Sequence, residues 1–567
     1  MSDRTRLLVL QIAVILSVCA FLFFFGLGAF GLVGADEPRY AQIAREMLQR
    51  HEWIVPTLNN TPWLEKPPLL YWKIINSYRI FGVSDWAARV PAAAHAMALV
   101  LAVFFFMRRF RPGSEASVAL ITASSAAIIG FARGASTDML LAVHLSIAML
   151  AWWAWCQNGK KIWLACFYVF LAFGTLAKGP VAPALAVLVV GAYAWLRRDG
   201  RILCRSLSWP GFTLFFLIVL PWYLAVQVRV PQFFRIFFIQ HNLERFGTNL
   251  YQHAQPFWYY IPVFLLSILP WTSFTVPALV DAIRDEIKKG RRNEDETVPA
   301  VRAEHGAGQD RLSLFLLLWI LVPIVFFSIS RAKLPGYILP AIPAAALLTA
   351  DYLHRRRAVS RWQLMLHSLL CAMLLCGALL VPWVMLKEPV PQATRNIIVV
   401  STGVIAVMVL LTVRRGGLRA LYFVTLVPVS LALAFLLRMA AIPPGNVSAA
   451  GGPPSISGLI LDLTQSARPV DQELRRLGVK DGTPVAVFQV KRDLAYGLDF
   501  YRNQPISYYE NEGPLDMPHG IPAGEHVVVT RAGNGHAVQA AVSPREVKRL
   551  GAFAPRQLEF FLVSSAR

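Results

Sequence analysis

The stretch from Leu7 to Phe30, LLVLQIAVILSVCAFLFFFGLGAF, runs directly into Gly31–Tyr40, GLVGADEPRY. The first part is long enough to cross a bilayer, which takes about 20 apolar residues. It exceeds the roughly 7–15 apolar residues of a cleaved leader, so it reads as a retained anchor. The character then changes abruptly at Asp36-Glu37-Pro38-Arg39-Tyr40. A second charged cluster, Leu64-Glu65-Lys66-Pro67-Pro68, arrives before the next apolar segment. A connector that merely joined two helices would not need acids and cations so close together. Together they suit the gripping and breaking of a phosphate-linked bond at a membrane surface.

The rest of the chain continues the membrane pattern. Of 567 residues 56% are hydrophobic and the mean hydropathy is +0.50, which a soluble domain rarely reaches. Thirteen candidate spans can be marked, near 7–30, 87–106, 116–132, 137–156, 162–177, 181–196, 211–228, 257–280, 312–328, 337–353, 362–383, 396–413 and 419–438. The net charge of +22 could suggest a nucleic-acid partner. Its distribution argues against one. Basic clusters fall at every second connector: Arg4/Arg6, Arg108-Arg109, Lys160-Lys161, Arg197-Arg198, Lys288–Arg292, Arg355–Arg357 and Arg414-Arg415. This is the positive-inside pattern. It predicts a cytoplasmic N-terminus and, with thirteen spans, a C-terminus outside. All six cysteines fall in spans or on the basic side, so no disulfide framework is expected outside.

Three regions follow: a membrane part over 1–438, a Pro/Gly-rich linker over 439–458 and a small α/β domain over 459–567. In the last, Pro484–Val490 and His526–Thr530 read as buried strands and Phe560–Val563 as a final strand. Arg492–Tyr501 and Pro544–Leu550 read as helices. The charged loop 281–311 reads as solvated. In the first outer connector, Arg39–Arg50 and Pro68–Phe81 have helical period and are expected to lie along the membrane. Trp72, Ile75 and Tyr78 would face the interface.

The topology collects charge on one side. Asp36, Arg39, Glu65, Lys66, Arg133, Asp138, Lys178, His241, Glu244, Arg245, Arg331, Lys333 and Tyr337 all fall at outer span ends or connectors. A charge near bilayer depth costs about 2.5–3.5 kcal/mol unless it faces a cavity. An outward-opening polar cavity is the simplest account. Singly, each has a plain alternative. Arg245, Arg331 and Lys333 could snorkel to headgroups. Lys178 could cap a helix C-terminus, and Asp138 could cap a helix start. Glu65-Lys66 could be a surface ion pair of little energy. Glu65 and His241 could hold a divalent ion, though two ligands do not define a metal site.

The order of short motifs carries a resemblance. Asp36-Glu37-Pro38-Arg39-Tyr40-Ala41, Arg45-Glu46-Met47, Trp53-Ile54-Val55-Pro56 and Glu65-Lys66-Pro67 come first. They are followed by Lys178-Gly179, Pro221-Trp222, Arg245-Phe246, Pro256–Tyr260 and Phe326–Leu339. This succession resembles the aminoarabinose transferases of lipid A modification, among the protein O-mannosyltransferase-like GT-C glycosyltransferases. The resemblance implies a polytopic helical enzyme of the bacterial inner membrane with a periplasmic C-terminal domain. It implies a sugar donor on a polyprenyl phosphate and an acceptor in lipid A. It places Asp36 in the reaction centre with Glu65 beside it, and Asp138 at acceptor handling. Arg39, Lys66 and Tyr337, with Lys333 and Arg245, would hold the carrier phosphate. The sequence departs from the family at Trp63, where Tyr is usual, and at Gly336, where Thr is usual. Asn242 stands where the family has His, with His241 one place earlier.

Breaking a sugar–phosphate bond leaves negative charge on the phosphate oxygens, which fixed cations stabilise. With a hydroxyl acceptor, Asp36 would be the general base. With a phosphate acceptor, Asp36 would position groups or stabilise oxocarbenium charge. A protein or another glycan is the alternative acceptor. A lipid or solute transporter would place its charges mid-span on broken helices, unlike this chain.

Overall fold

The structure, a computed structural model, describes residues 3–244, 255–295, 311–356, 359–386, 390, 392–440, 460–511 and 517–565. The chain is a multi-pass membrane protein. Eight described helical segments are long and apolar enough to cross a membrane, or ten if two bent pairs each count as one span. The first bent pair, Glu115–Ser124 with Ala126–Ala132, turns by 63°; the second, Phe257–Ser267 with Thr272–Lys289, turns by 119°. Side chains such as Val187, Trp195, Leu217 and Val325 point outward, as contact with lipid requires. Two of the thirteen expected spans, 396–413 and 419–438, lie in one continuous helix, Gln392–Ala440. The expected loop 281–311 is helical through Asp295, as the end of the helix beginning at Thr272.

Four helices frame the connector that follows the first span. They are α1 (Asp3–Cys19), α2 (Asp36–Gln49), α3 (Leu69–Phe81) and α4 (Asp85–Phe110). α2 and α3 are packed into the protein, and Ile75 and Tyr78, expected at the interface, face its core instead. Pro38 through Ala44 of α2 are buried, as are Tyr71, Ile74, Ile75 and Tyr78 of α3. Their apolar faces pack into a shared core, and the C-terminal domain covers α2 from the other side.

The centre of this packing is Arg89 of α4, which is fully buried. Its Nη1 donates to the carbonyls of Leu27 and Phe30 at 2.7 and 2.8 Å. Its Nη2 donates to the Gly31 carbonyl at 2.8 Å and to Glu37 Oε2 at 2.7 Å. Its Nε reaches Glu37 Oε1 at 3.2 Å. All five guanidinium donors are therefore satisfied. Glu37 also accepts from the backbone N–H groups of Val33 and Ala135 at 2.9 and 2.7 Å. One carboxylate and one guanidinium thus fix the exit of the first span, the start of α2, the outer half of α4 and the turn before residue 137.

The C-terminal unit is a five-stranded sheet of order β4-β3-β5-β7-β6. Its strands are β3 (Val485–Phe488), β4 (Ser507–Tyr509), β5 (His526–Arg531), β6 (Val547–Phe553) and β7 (Leu558–Val563); β1 (Thr57–Leu58) and β2 (Thr61–Pro62) form a separate hairpin. β3 runs parallel to β4 and β5, and β7 antiparallel to β5 and β6. The helix expected over Pro544–Leu550 is instead the start of β6. Its residues pair with β7, whose Phe560, Phe561 and Val563 reward an extended neighbour. The helix Arg492–Arg502 agrees with its sequence pattern.

This unit is bolted to the connector. Gly31 N donates to Asp462 and Leu32 N to Tyr501 Oη, at 2.9 and 2.7 Å. Arg468 bonds Asp462 and Asp85 as well as the carbonyls of Gly28 and Ala29. A Cβ on Gly31 would lie 2.2 Å from Ser466 Oγ, so only glycine allows this approach. Arg45 of α2 donates to the Phe500 carbonyl at 2.8 Å.

Two outcomes follow from these contacts. Replacing Arg89 with Leu strands a buried carboxylate, which costs about 3–5 kcal/mol. A large fall in melting temperature of the detergent-purified protein is expected, and an unchanged melting curve would refute the central role of the pair. The second concerns Asp499, fully buried where the helix Arg492–Arg502 meets α2. Burial, then Glu46, pushes its carboxyl well above the ordinary range, against smaller opposing effects of Asn59 and Arg45. The fold therefore favours the protonated form, and stability from this group is lost as pH rises above the unfolded value of about 3.9. Asp499→Asn should gain in melting temperature over the parent as pH rises from 5 to 8. A pH-independent difference would exclude this assignment.

A candidate active site at the head of α2

The first turn of α2 carries Asp36 and Glu37, where the helix dipole favours acids, and Pro38, whose missing N–H is not needed there. Arg39 lies three residues after Asp36 and shares its face. Its Nη2 meets Asp36 Oδ1 at 2.5 Å and Glu65 Oε2 at 3.5 Å. Glu65 Oε1 in turn meets Lys66 Nζ at 3.2 Å.

The second half of α2 delivers Glu65 and Lys66 to the first. Asn59 and Asn60, at the tip of the β1–β2 hairpin, both have positive φ, 53° and 61°. Asparagine tolerates this well, and such a pair suits a tight two-residue turn. Glu46 of α2 accepts from both of their N–H groups, at 2.7 and 3.2 Å, and from Thr57 Oγ1 at 2.9 Å. The hairpin is thereby anchored, and the chain leaving β2 passes Trp63 and brings Glu65-Lys66 back over Arg39.

The resulting cluster is graded in exposure. The Arg39, Glu65 and Lys66 side chains are 7%, 10% and 13% exposed, whereas Asp36 is 62% exposed. Trp63 lies 4.8 Å from the Arg39 guanidinium, and Tyr40 and Tyr496 each 5.5 Å. Tyr496 comes from the C-terminal domain, so that domain forms one wall. Burial alone would lower the Arg39 guanidinium, but Glu65 and Asp36 outweigh it and hold it well above its ordinary value. Burial raises the Tyr40 and Tyr71 hydroxyls, with Asp36 adding at Tyr40 and Glu65 at Tyr71, so both stay neutral donors. Among the described residues, three buried donors of the cluster make no hydrogen bond: Arg39 Nε, Trp63 Nε1 and Tyr71 Oη. Trp63 and Tyr71 were not legible as site residues, because an aromatic in an amphipathic stretch reads as core.

A second cluster stands at the start of α5 (Thr137–Asn158) and the end of α6 (Lys161–Lys178). Ser136, not Asp138, caps α5, accepting from the Asp138 N–H. The Asp138 carboxylate is thus free to pair with Lys178, whose ammonium also lies 4.6 Å from the centre of the Tyr337 ring. Tyr337 packs against Phe327 at 5.0 Å. A Cβ on Gly336 would fall 2.8 Å from Asp138 Cγ, so the glycine lets the 335–341 turn close on the carboxylate. Glu37 links the clusters, since it neighbours Asp36 in sequence and accepts from Ala135 N.

Other expected residues are placed differently. Lys333 is buried, and its ammonium donates to the Ser330 carbonyl at 2.5 Å. Arg133 is turned onto the carbonyls of Leu22 and Gly26. Arg331 is exposed. Arg245 lies outside the described residues, as does the side chain of His241; the His241 backbone belongs to the helical segment Arg235–Glu244. Glu65 is engaged by Arg39 and Lys66. Among the described residues no group of three or more His, Cys, Asp or Glu side chains could hold a metal ion.

Residues 8–237, which contain Asp36, Arg39, Lys66, Asp138 and Lys178, match the family model described as dolichyl-phosphate-mannose-protein mannosyltransferase. An undecaprenyl phosphate-alpha-4-amino-4-deoxy-L-arabinose arabinosyl transferase of Enterobacter sp. (strain 638) is 30% identical over 418 residues, 70% of each chain. The chain belongs to the undecaprenyl phosphate-alpha-4-amino-4-deoxy-L-arabinose arabinosyl transferase family. A member from Serratia proteamaculans (strain 568) is 32% identical over 329 residues, and there the match spans about half (54%) of the relative's length. The fold is shared along the whole chain with ArnT from Cupriavidus metallidurans in a crystal structure bound to undecaprenyl phosphate. That likeness has a TM-score of 0.74 at 24% identity and covers 98% of both chains. The likeness includes the C-terminal sheet domain, so in this family fold that domain sits with the membrane part as one plan.

The Asp138–Lys178 pair was half legible: both residues stood out as charges at span ends, but their pairing depends on two helix ends meeting. Lys178→Met removes a charge-assisted bond of about 1.5–3 kcal/mol. If the pair positions a reactant, turnover should fall by roughly 10–100-fold, more than the loss of several degrees in melting temperature would explain. Normal turnover in Lys178→Met would assign the pair to folding alone.

Proposed function

We propose that this chain transfers a sugar, 4-amino-4-deoxy-L-arabinose, from a polyprenyl-phosphate carrier to lipid A at the periplasmic face of the bacterial inner membrane. The observation that carries this reading is the buried Arg39–Glu65–Lys66 cluster beside an exposed Asp36, with Arg39 Nε left without a hydrogen bond among the described residues. Family membership supports the donor and the sugar, which are named in the relatives. In this reading the N-terminus is cytoplasmic, residues 1–438 form the catalytic membrane domain, 439–458 the linker and 459–567 a periplasmic domain.

The chemistry follows from the charges. The bond between the anomeric carbon and the carrier phosphate breaks, and a bond from the acceptor oxygen to that carbon forms on the opposite face. The carrier departs as polyprenyl phosphate, and the developing charge falls on its oxygens. Arg39 offers a planar fork and Lys66 a point charge for them, both largely buried, where such interactions are strong. Arg39 Nε, Trp63 Nε1 and Tyr71 Oη are further donors of the right kind for phosphate oxygens. Tyr337, beside Lys178 and one residue after Gly336, which packs on Asp138, is a further hydroxyl for the carrier phosphate in this reading. Glu65 holds both cations in position. A phosphate acceptor arrives already anionic and needs no base, and Asp36 then orients groups or stabilises oxocarbenium charge. A hydroxyl acceptor would give its proton to Asp36.

The test is lipid A mass spectrometry on cells lacking the protein and re-expressing it. Wild type should add a mass of one aminopentose. Asp36→Asn and Arg39→Ala should lose it, the latter with turnover reduced about 10²–10³-fold, while both proteins remain folded. An unchanged lipid A with wild-type protein present and donor supplied would direct the acceptor to a protein or another glycan.

A further inference from the structure

The β1–β2 hairpin, whose outgoing strand leads to Glu65 and Lys66, is met at its tip by one acid from each side. From α2, Glu46 accepts from the Asn59 and Asn60 N–H groups and from the Thr57 hydroxyl, which itself accepts from Arg50 at 2.8 Å. From the C-terminal domain comes Asp499, fully buried on the helix Arg492–Arg502.

The second contact differs in kind from the first. Among the described residues, Asp499 Oδ1 and Oδ2 and Asn59 Nδ2 and Oδ1 are buried and complete no hydrogen bond of full geometry. The Asn59 amide is nevertheless near enough to act on the Asp499 carboxyl as a hydrogen-bonding group. Buried polar atoms are rarely left in this state. These four are complementary. A neutral carboxyl carries one O–H donor and one carbonyl acceptor, and a primary amide offers an N–H donor and a carbonyl acceptor. A small rotation closes them into a cyclic pair that satisfies all four. An ionised Asp499 has no donor, so Asn59 Oδ1 would stay unsatisfied and a second negative charge would stand beside Glu46.

The surrounding charges do not favour that ionised state. Glu46 and Arg45, both on α2, are the charged groups that act on Asp499. Arg45 donates to the Phe500 carbonyl at 2.8 Å and can balance only one of the two carboxylates. Tyr78 of α3 acts on Arg45. On the helix of Asp499 itself, Arg502 is turned to Asp471 of the helix Arg468–Arg476 and to the Lys480 carbonyl, and Asp493 bonds Arg556.

We infer that Asp499 is a positioning residue for the transfer: as a neutral acid it pairs with the Asn59 amide and latches the C-terminal domain onto the hairpin that delivers Glu65 and Lys66. The catalytic consequence rests on the transferase reading, whereas the latch itself does not. While the carboxyl is neutral, the tip is held from both sides. When it ionises as pH rises, Glu46 holds the tip alone, and the residues facing the carrier phosphate lose part of their support.

Two variants of the full chain test this from opposite sides. Asp499→Asn cannot ionise, and its amide offers Asn59 the same donor and acceptor at every pH. Asn59→Gly removes the amide while keeping the N–H that Glu46 accepts, and glycine tolerates the positive φ of 53°. Hydrogen exchange of peptides covering 57–66, compared between proteins at each pH from 6 to 9, should show wild type losing protection relative to Asp499→Asn as pH rises. Asn59→Gly should be the least protected at pH 6. The donor KM should follow the same order, rising roughly 2–10-fold on loss of the latch, as for one net hydrogen bond, with kcat less affected. Equal protection of wild type and Asp499→Asn at every pH, or unchanged protection in Asn59→Gly, overturns the latch. The expected protection pattern with an unchanged donor KM makes the contact structural and overturns the positioning role. Absence of sugar transfer by wild type would count against the transferase reading instead, and the exchange comparison would still decide the latch.

Discussion

The Arg89–Glu37 pair is the constraint on which the rest of the architecture depends. A buried ion pair need not stabilise a fold more than well-packed apolar residues would. Its effect here is geometric. The fork of Arg89 has five fixed directions, and each is taken by a different piece of the connector or by Glu37. Glu37 spends its remaining lone pairs on Val33 and Ala135. No apolar substitute could specify so many backbone positions at once. Asp36, the next residue back, is thereby aimed outward at a defined place while its neighbour is locked inward.

That division of labour recurs in the site. Glu46 holds a hairpin so that Glu65 can hold two cations, and none of these acids except Asp36 is open to solvent. A run of charges that looks interchangeable in sequence divides into carboxylates that build and one that is presented. The C-terminal domain takes part in the same construction. Its Tyr496 faces Arg39, its Arg468 closes over Gly28 and Ala29, and its Tyr501 holds Leu32. It is better described as a wall of the site than as an appendage.

Much of this was legible beforehand, and the exceptions have physical causes. Membrane helices announce themselves by length and apolarity, and buried strands by unbroken Val and Phe runs. The segment Pro544–Leu550 misled because its mixed charges at helical spacing lie on an edge strand, where one face meets water and local pattern is weak. The expected spans 396–413 and 419–438 share one helix because Arg414-Arg415, read as a basic connector, leave the helical backbone unbroken. The burial of α2 was not legible because one of its partners, the C-terminal domain, is more than 400 residues away in sequence. In the site, Asp36, Arg39, Glu65 and Lys66 were visible as charges out of place. Glu37 was not separable from Asp36, and Arg89, two residues into the expected second span, gave no signal that singled it out. Pairing across distant elements carries no local signal.

The exposure gradient gives the site a direction. A phosphate on a lipid carrier is costly to desolvate unless fixed cations replace its water, and Arg39 and Lys66 are buried enough to do so. In the proposed reading an attacking group arrives from solvent or from the membrane surface, where Asp36 is presented, while the Asp138–Lys178 pair is nearly as buried as Lys66. If both reactants entered by one route, buried and exposed charges would have no reason to segregate. The segregation, fixed by Glu37 facing in and Asp36 facing out, supports the proposed transfer between two lipid-borne substrates: one held in the dry, the other admitted to the wet, and the sugar between them.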